Sequence, residues 1–159
     1  SLFLLFLIGM GGYWWFAKSN LADKNYLLRL ADHQVVAGRL RRQAGQPLDL
    51  NVEIVNSKES ITQGLSNRES LSTDGMLFVF PTTQRQVFWM KEMRFALDFI
   101  WLRQGKIVDL TLNVPPPAGS IDLNQLPTYA SQSPVDMVLE VPAGFVTNKQ
   151  IKLGDKLSF

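Results

Sequence analysis

The chain contains no cysteine. Disulfides, thiolate nucleophiles, cysteine-held zinc and a lipidated N-terminal cysteine are therefore excluded. Histidine is almost absent too: the single one, His33, sits in a polar stretch where a solvated ring is expected rather than a base or a ligand. No charge of one sign dominates, with 16 basic residues against 14 acidic and a net charge of +2. That balance falls well short of the dense Lys/Arg footprint that phosphate neutralisation requires, so nucleic acid is not an expected partner. Glu69, Asp98, Asp136 and Glu140 offer oxygens, but at no spacing that matches a known metal loop. No metal or cofactor is expected.

What the chain does have in quantity is apolar residues, 46% of the total. The first block is SLFLLFLIGMGGYWWFA, Ser1 to Ala17, which carries no charge. As a helix rising about 1.5 Å per residue it spans roughly 25 Å, and a few further upstream residues would complete a hydrocarbon core of about 30 Å. Tyr13, Trp14, Trp15 and Lys18 then form an interfacial belt. Signal-peptide cleavage needs small residues at the junction, and YWWFAKSN is bulky there, so an uncleaved transmembrane anchor is the expectation. It implies attachment to an inner membrane and a globular part on the extracytoplasmic side, periplasmic or at the cell surface.

Residues 18–37 mix charges with Leu and Val at irregular spacing, which suits a juxtamembrane tether or helix. The globular domain is expected over residues 38–159, an ordinary single-domain length. There, period-two alternation dominates. LDLNVEIV places Leu48, Leu50, Val52 and Ile54 on one face, and GMLFVFP, apolar on both faces, reads as a central strand ending at Pro81. QVFWMK and FALDFIWL follow, and RQGK turns into IVDLTLNV, with Val108, Leu110, Leu112 and Val114 inward. A Pro/Gly-rich stretch, Pro115 to Pro134, precedes PVDMVLEVP and IKLGDKLSF. In NSKESITQGL, Asn56 is the expected helix cap, Glu59 its capping-box partner and Gly64 the stop. A second short turn is expected at FVTNKQ. The pattern predicts a mainly β domain, an antiparallel barrel or sandwich of about seven to eight strands with one or two short helices, preceded by a transmembrane helix.

The order NVEIVNSKESITQGLSNRESL, GMLFVFP, FWMKEM with ALDFIWL, VLEVPAGF and IKLGDKL resembles the domain of unknown function 192 family across nearly all of residues 48–157. Gly64, Leu65, Arg68, Ser70 and Leu71 fit its G-L-x-x-R-x-S-L element, Phe88 to Lys91 its F-W-M-K element, and Leu97 and Asp98 its L-D. Two departures stand out: Glu92-Met93 replaces the usual Asn-Thr, and Ala96 replaces a proline. The resemblance implies a small, mainly β domain, often exported or anchored, and supplies no activity.

Lys91 and Asp98 are the polar residues most in need of an account. If the connection MKEMRF is a hairpin, they fall near opposite positions, and an ion pair between them is the first expectation, with Arg94 competing. A ligand-binding reading instead assigns Arg68, Trp89, Lys91 and Asp98 to a site for a small polar or anionic group. A catalytic reading has one plausible pair, Ser70 as nucleophile with Lys91 as base. Trp89, Phe99 and Trp101 are expected in the core. The leading function is a membrane-anchored binding or accessory domain acting on an envelope ligand or a neighbouring membrane protein. A small serine hydrolase and a purely structural subunit of a membrane complex are the alternatives.

Overall fold

In the computed structural model, residues 24–119 and 122–159 are described. The expected membrane helix at residues 1–17 and the first part of the tether lie outside them. Among the described residues no helix is long and apolar enough to cross a membrane.

Among the described residues the alternation becomes nine strands. Seven close into a barrel: β1 (Val35–Arg41), β2 (Leu48–Val55), β3 (Gly75–Gln84), β8 (Val135–Pro142), β5 (Leu97–Arg103), β6 (Lys106–Val114) and β9 (Lys156–Ser158), in that order around the wall. The remaining two, β4 (Val87–Trp89) and β7 (Thr128–Ala130), pair with each other outside it. Thus part of the Pro/Gly-rich stretch is structured. The expected meander holds only in part. β2 and β3 are parallel, joined by a crossover through helix α1 (Lys58–Gln63), and β8 inserts between β3 and β5. A further short helix, α2 (Phe145–Asn148), lies where FVTNKQ places it, and with residues 24–27 also helical the described residues hold more short helices than the one or two expected.

The apolar character of both faces of β3, β5 and β8 reflects two cores. Inside the barrel, Leu50, Val52, Ile54, Leu77, Ile100 and Leu139 pack together. On the outer face of the same wall, Met76, Phe78, Phe99, Trp101 and Val138 form a second cluster, sealed by Leu65, Met90 and Met93. Its cover is α1 with the residues after it, the segment around β4, and β7. A side chain at Gly75 would put Cβ 2.6 Å from the Glu140 carbonyl, so glycine is what lets β3 start against β8.

Several local expectations are corrected. β3 runs through Pro81, and its ladder to β8 breaks between Val79 and Gln84, so no hydrogen bond is asked of the proline. The cap of α1 is Ser57, reciprocated by Ser60, and not Asn56 with Glu59. Asn56 instead donates its side-chain amide to the Leu27 and Leu30 carbonyls. Asp32 accepts from the Asn56 and Ser57 N–H groups and from Ser60 Oγ. Burial raises its pKa, but these hydrogen bonds outweigh burial and hold it at about 2. Gly64 does end α1, with φ +50°. Leu112 is exposed, because one extra β6 residue fits between the pairs Phe99–Thr111 and Leu97–Val114, with Asn113 at φ +54°. Finally, β1 begins at Val35, ahead of Gly38, and Leu27 is fully buried in the inner core, so the later part of the expected tether belongs to the domain.

Candidate functional site

The expected Lys91–Asp98 pair is not formed. Asp98 lies on the face of β5 that carries Ile100 and Leu102 into the barrel, where it accepts the Asn113 N–H (2.8 Å) and the Val146 N–H (3.0 Å). Lys91 belongs to the outer cover. Its Nζ is 4.0 Å from Glu92 Oε1 and 6.0 Å from the Trp89 ring centroid. The barrel wall stands between the two, because β5 alternation turns Asp98 inward while Lys91 lies in the turn after β4, in the outer cover.

Arg68 is likewise engaged elsewhere. Its guanidinium forks onto Glu53, at 2.6 and 2.7 Å, and His33 Nδ1 lies 2.6 Å from the same carboxylate. The Arg68 hydrogen bonds hold the Glu53 pKa below the usual carboxylate range, and Glu53 in turn raises that of Arg68. Ser70 is exposed, and among the described residues no hydrogen bond joins it to Lys91, so the nucleophile–base pair of the alternative catalytic reading is not formed. Arg94 pairs with Glu69. Trp101 and Phe99 are buried as expected, whereas Trp89 is 44% exposed.

These outer residues frame two adjoining depressions. One, of about 420 Å³, is bordered by Lys58, Glu59, Asn67, Trp89, Lys91 and Glu92. It is a groove beside Lys91, but Arg68 is not part of it. The other, of about 250 Å³, goes deeper under the C-terminal end of α1, and shares Thr62, Gln63, Ser66 and Trp89 with the first. Its walls are Ile61, Leu65, Phe78, Phe80, Phe88 and Met93, and its polar groups include Glu140 and Gln86.

Each wall has a local cause. β4 alternates, so Phe88 alone of its three residues turns inward, meeting Phe78 edge-on at 4.9 Å and Trp101 at 5.6 Å. The mouth is tied by Ser66 Oγ donating to the Lys91 carbonyl and by the Asn67 N–H donating to the Glu92 carbonyl, both at 2.9 Å. Glu140 reaches the cavity because β8 alternation puts it opposite Leu139, which faces the barrel interior.

Glu140 is the anomaly of the molecule. Five carboxyl side chains are buried among the described residues: Glu53, Asp98, Asp136, Glu140 and Asp155. Arg68 serves Glu53, and backbone N–H groups serve Asp98, Asp136 and Asp155. Glu140, only 4% exposed, receives no hydrogen bond from any described residue, and burial pushes its pKa up to about 8. In the same cavity, Gln86 Nε2 is a buried donor with no acceptor. A buried polar group without a partner calls for an explanation, and Gln86 Nε2 shares its space with a carboxyl group that no described residue serves. From the sequence, Glu140 stands out only as an oxygen for a metal, and Gln86 carries no signal at all. The described residues hold no cluster of three or more metal-ligating side chains.

The comparisons agree with this fold. The profile of DUF192, described as uncharacterized ACR, matches residues 39–159. No curated protein matches. The crystal structure of a candidate transcription regulator from Sinorhizobium meliloti 1021 is similar, with 30% identity and a TM-score of 0.70, covering 81% of this chain and 96% of its own. A protein of unknown function from Novosphingobium aromaticivorans DSM 12444 shares the fold at 22% identity and a TM-score of 0.69, over 82% of this chain and 89% of its own. With a family match across the barrel and its outer cover, this chain belongs to the DUF192 family.

Proposed function

We propose that this protein is a small-molecule-binding domain whose site is the cavity of Glu140 and Gln86, held at a membrane by residues 1–17 with the domain on the extracytoplasmic side. The observation that carries the binding reading is the buried carboxyl of Glu140, which opens onto an aromatic cavity and has no hydrogen-bond partner among the described residues. Small-ligand sites have this composition: mostly apolar walls with a few convergent polar groups. Membrane attachment rests on the uncharged run Ser1 to Ala17 and its aromatic belt. Transcriptional regulation by direct DNA binding finds no support in 16 basic residues set against 14 acidic ones.

The test is a thermal-shift screen of the full chain against a chemically diverse small-molecule set. It is run in parallel on Thr62→Trp, which adds bulk at the exposed mouth of the cavity and leaves the buried walls intact. A ligand at a hundred times its Kd stabilises by about 2.7 kcal/mol, enough to raise Tm by roughly 5 °C or more. At least one compound is expected to do so in the wild type and not in Thr62→Trp. A shift that survives unchanged in the variant places binding elsewhere, and no shift across the whole set rejects the reading.

A further inference from the structure

Resting on the binding reading above, we infer that the cavity takes an organic amine, with the ammonium group against Glu140 and an apolar body against Phe78, Phe80 and Phe88. Among the described residues the wall carries no second charge, and Glu140 is the one ionisable side chain lining the cavity. The elements packed around it present Met76 and Phe78 from β3, Phe99 from β5, Leu65 from the segment after α1 and Phe88 from β4. None of these titrates. The charged residues Lys58, Glu59, Lys91 and Glu92 border the outer groove instead.

A lone carboxylate in such surroundings is costly, and a cation is the partner that removes the cost, since it supplies both opposite charge and N–H donors. Aromatic faces add attraction for a cation and none for an anion. An anionic ligand would find no cationic side chain in the described wall to hold it. Size fits the same class. An apolar cavity of about 150 Å³ holds a benzene ring, so about 250 Å³ leaves room for a ring and an aminomethyl group. Gln86 Nε2, free to donate, suits an acceptor oxygen elsewhere on the natural ligand. Because burial holds Glu140 largely protonated below about pH 8, binding an ammonium group must ionise it and release a proton.

Calorimetric titration of the full chain with benzylamine, benzyl alcohol and benzoate between pH 6 and 8.5 tests this. Benzylamine should bind most tightly of the three, with affinity rising up to about tenfold per pH unit below pH 8 and then levelling. Glu140→Gln should weaken benzylamine at least tenfold and remove the pH dependence, with benzyl alcohol little affected. If benzyl alcohol or benzoate binds as well as benzylamine, or if affinity falls with pH, the amine assignment is wrong while the binding site stands. If none of the three binds, the amine assignment is also rejected; the binding reading falls only if the wider compound screen finds nothing in addition.

Discussion

Asp98 and Glu140 occupy adjacent strands of one barrel wall, a single register step apart: Asp98 pairs with Val141, and Glu140 with Phe99. Both are buried, yet among the described residues one has two backbone donors and the other none. The difference is which side of the sheet each faces. Asp98 points to the barrel end, where the β6 bulge and the start of α2 bring loose backbone N–H groups to the carboxylate. Glu140 points to the outer core, where the covering segments present Phe, Leu and Met side chains and keep their backbone groups for one another. Identical chemistry one step apart therefore becomes a structural clamp on one face and an unsatisfied group on the other.

The largest effect is expected at Asp98. Asp98→Ala leaves two buried N–H groups without an acceptor, at roughly 1–3 kcal/mol each, so a loss of about 4 kcal/mol is expected in urea unfolding. A loss below about 1 kcal/mol would mean that the clamp carries little and that the contrast with Glu140 is one of geometry only.

At Glu140 the expected sign is opposite. Its folded pKa, about 8, lies above the ordinary carboxylate value of 4.5, so ionisation favours the unfolded chain. Wild-type stability from this group is therefore full below pH 4.5 and falls as pH rises towards 8. Glutamine does not titrate. Glu140→Gln should gain on the wild type by roughly 1.4 kcal/mol per pH unit across that window, about 3 kcal/mol by pH 7 as an upper bound. Melting curves at pH 5, 6 and 7 check this. A constant difference, or a variant less stable than wild type at pH 7, would show that the carboxylate is served in the folded state after all.

The β character of the domain was legible because alternation in LDLNVEIV and the two-faced apolarity of GMLFVFP are local properties of strands. The family motif order was legible for the same reason. What alternation does not carry is neighbourhood. Nothing local in β8 announces that it inserts between β3 and β5, or that β2 and β3 run parallel, and those two facts create the covered outer face. Glu140 could be seen as an acid flanked by apolar residues in VLEVP, but its isolation depends on which side chains the cover brings, and Gln86 gave no local signal. The pairing of Lys91 with Asp98 failed on similar grounds. The turn after Met90 and the short β4 end the expected hairpin before it can form, and β4 pairs with β7 instead.

The smallest effect belongs to Lys91, whose substitution tests the wall itself. Its side chain is 35% exposed, 4.0 Å from Glu92 and 6.0 Å from the Trp89 ring, contacts of the kind that contribute little at a surface. Lys91→Ala should therefore change stability by no more than about 0.5 kcal/mol, a shift in Tm of about 2 °C. Combined with Asp98→Ala, the two losses should add to within about 0.5 kcal/mol, as residues on opposite faces without a shared partner do. A coupling energy above 1 kcal/mol, measured by denaturant unfolding of both single variants and the double variant, would put Lys91 and Asp98 on one side. It would then be the lysine, and not the backbone at the barrel end, that separates Asp98 from Glu140.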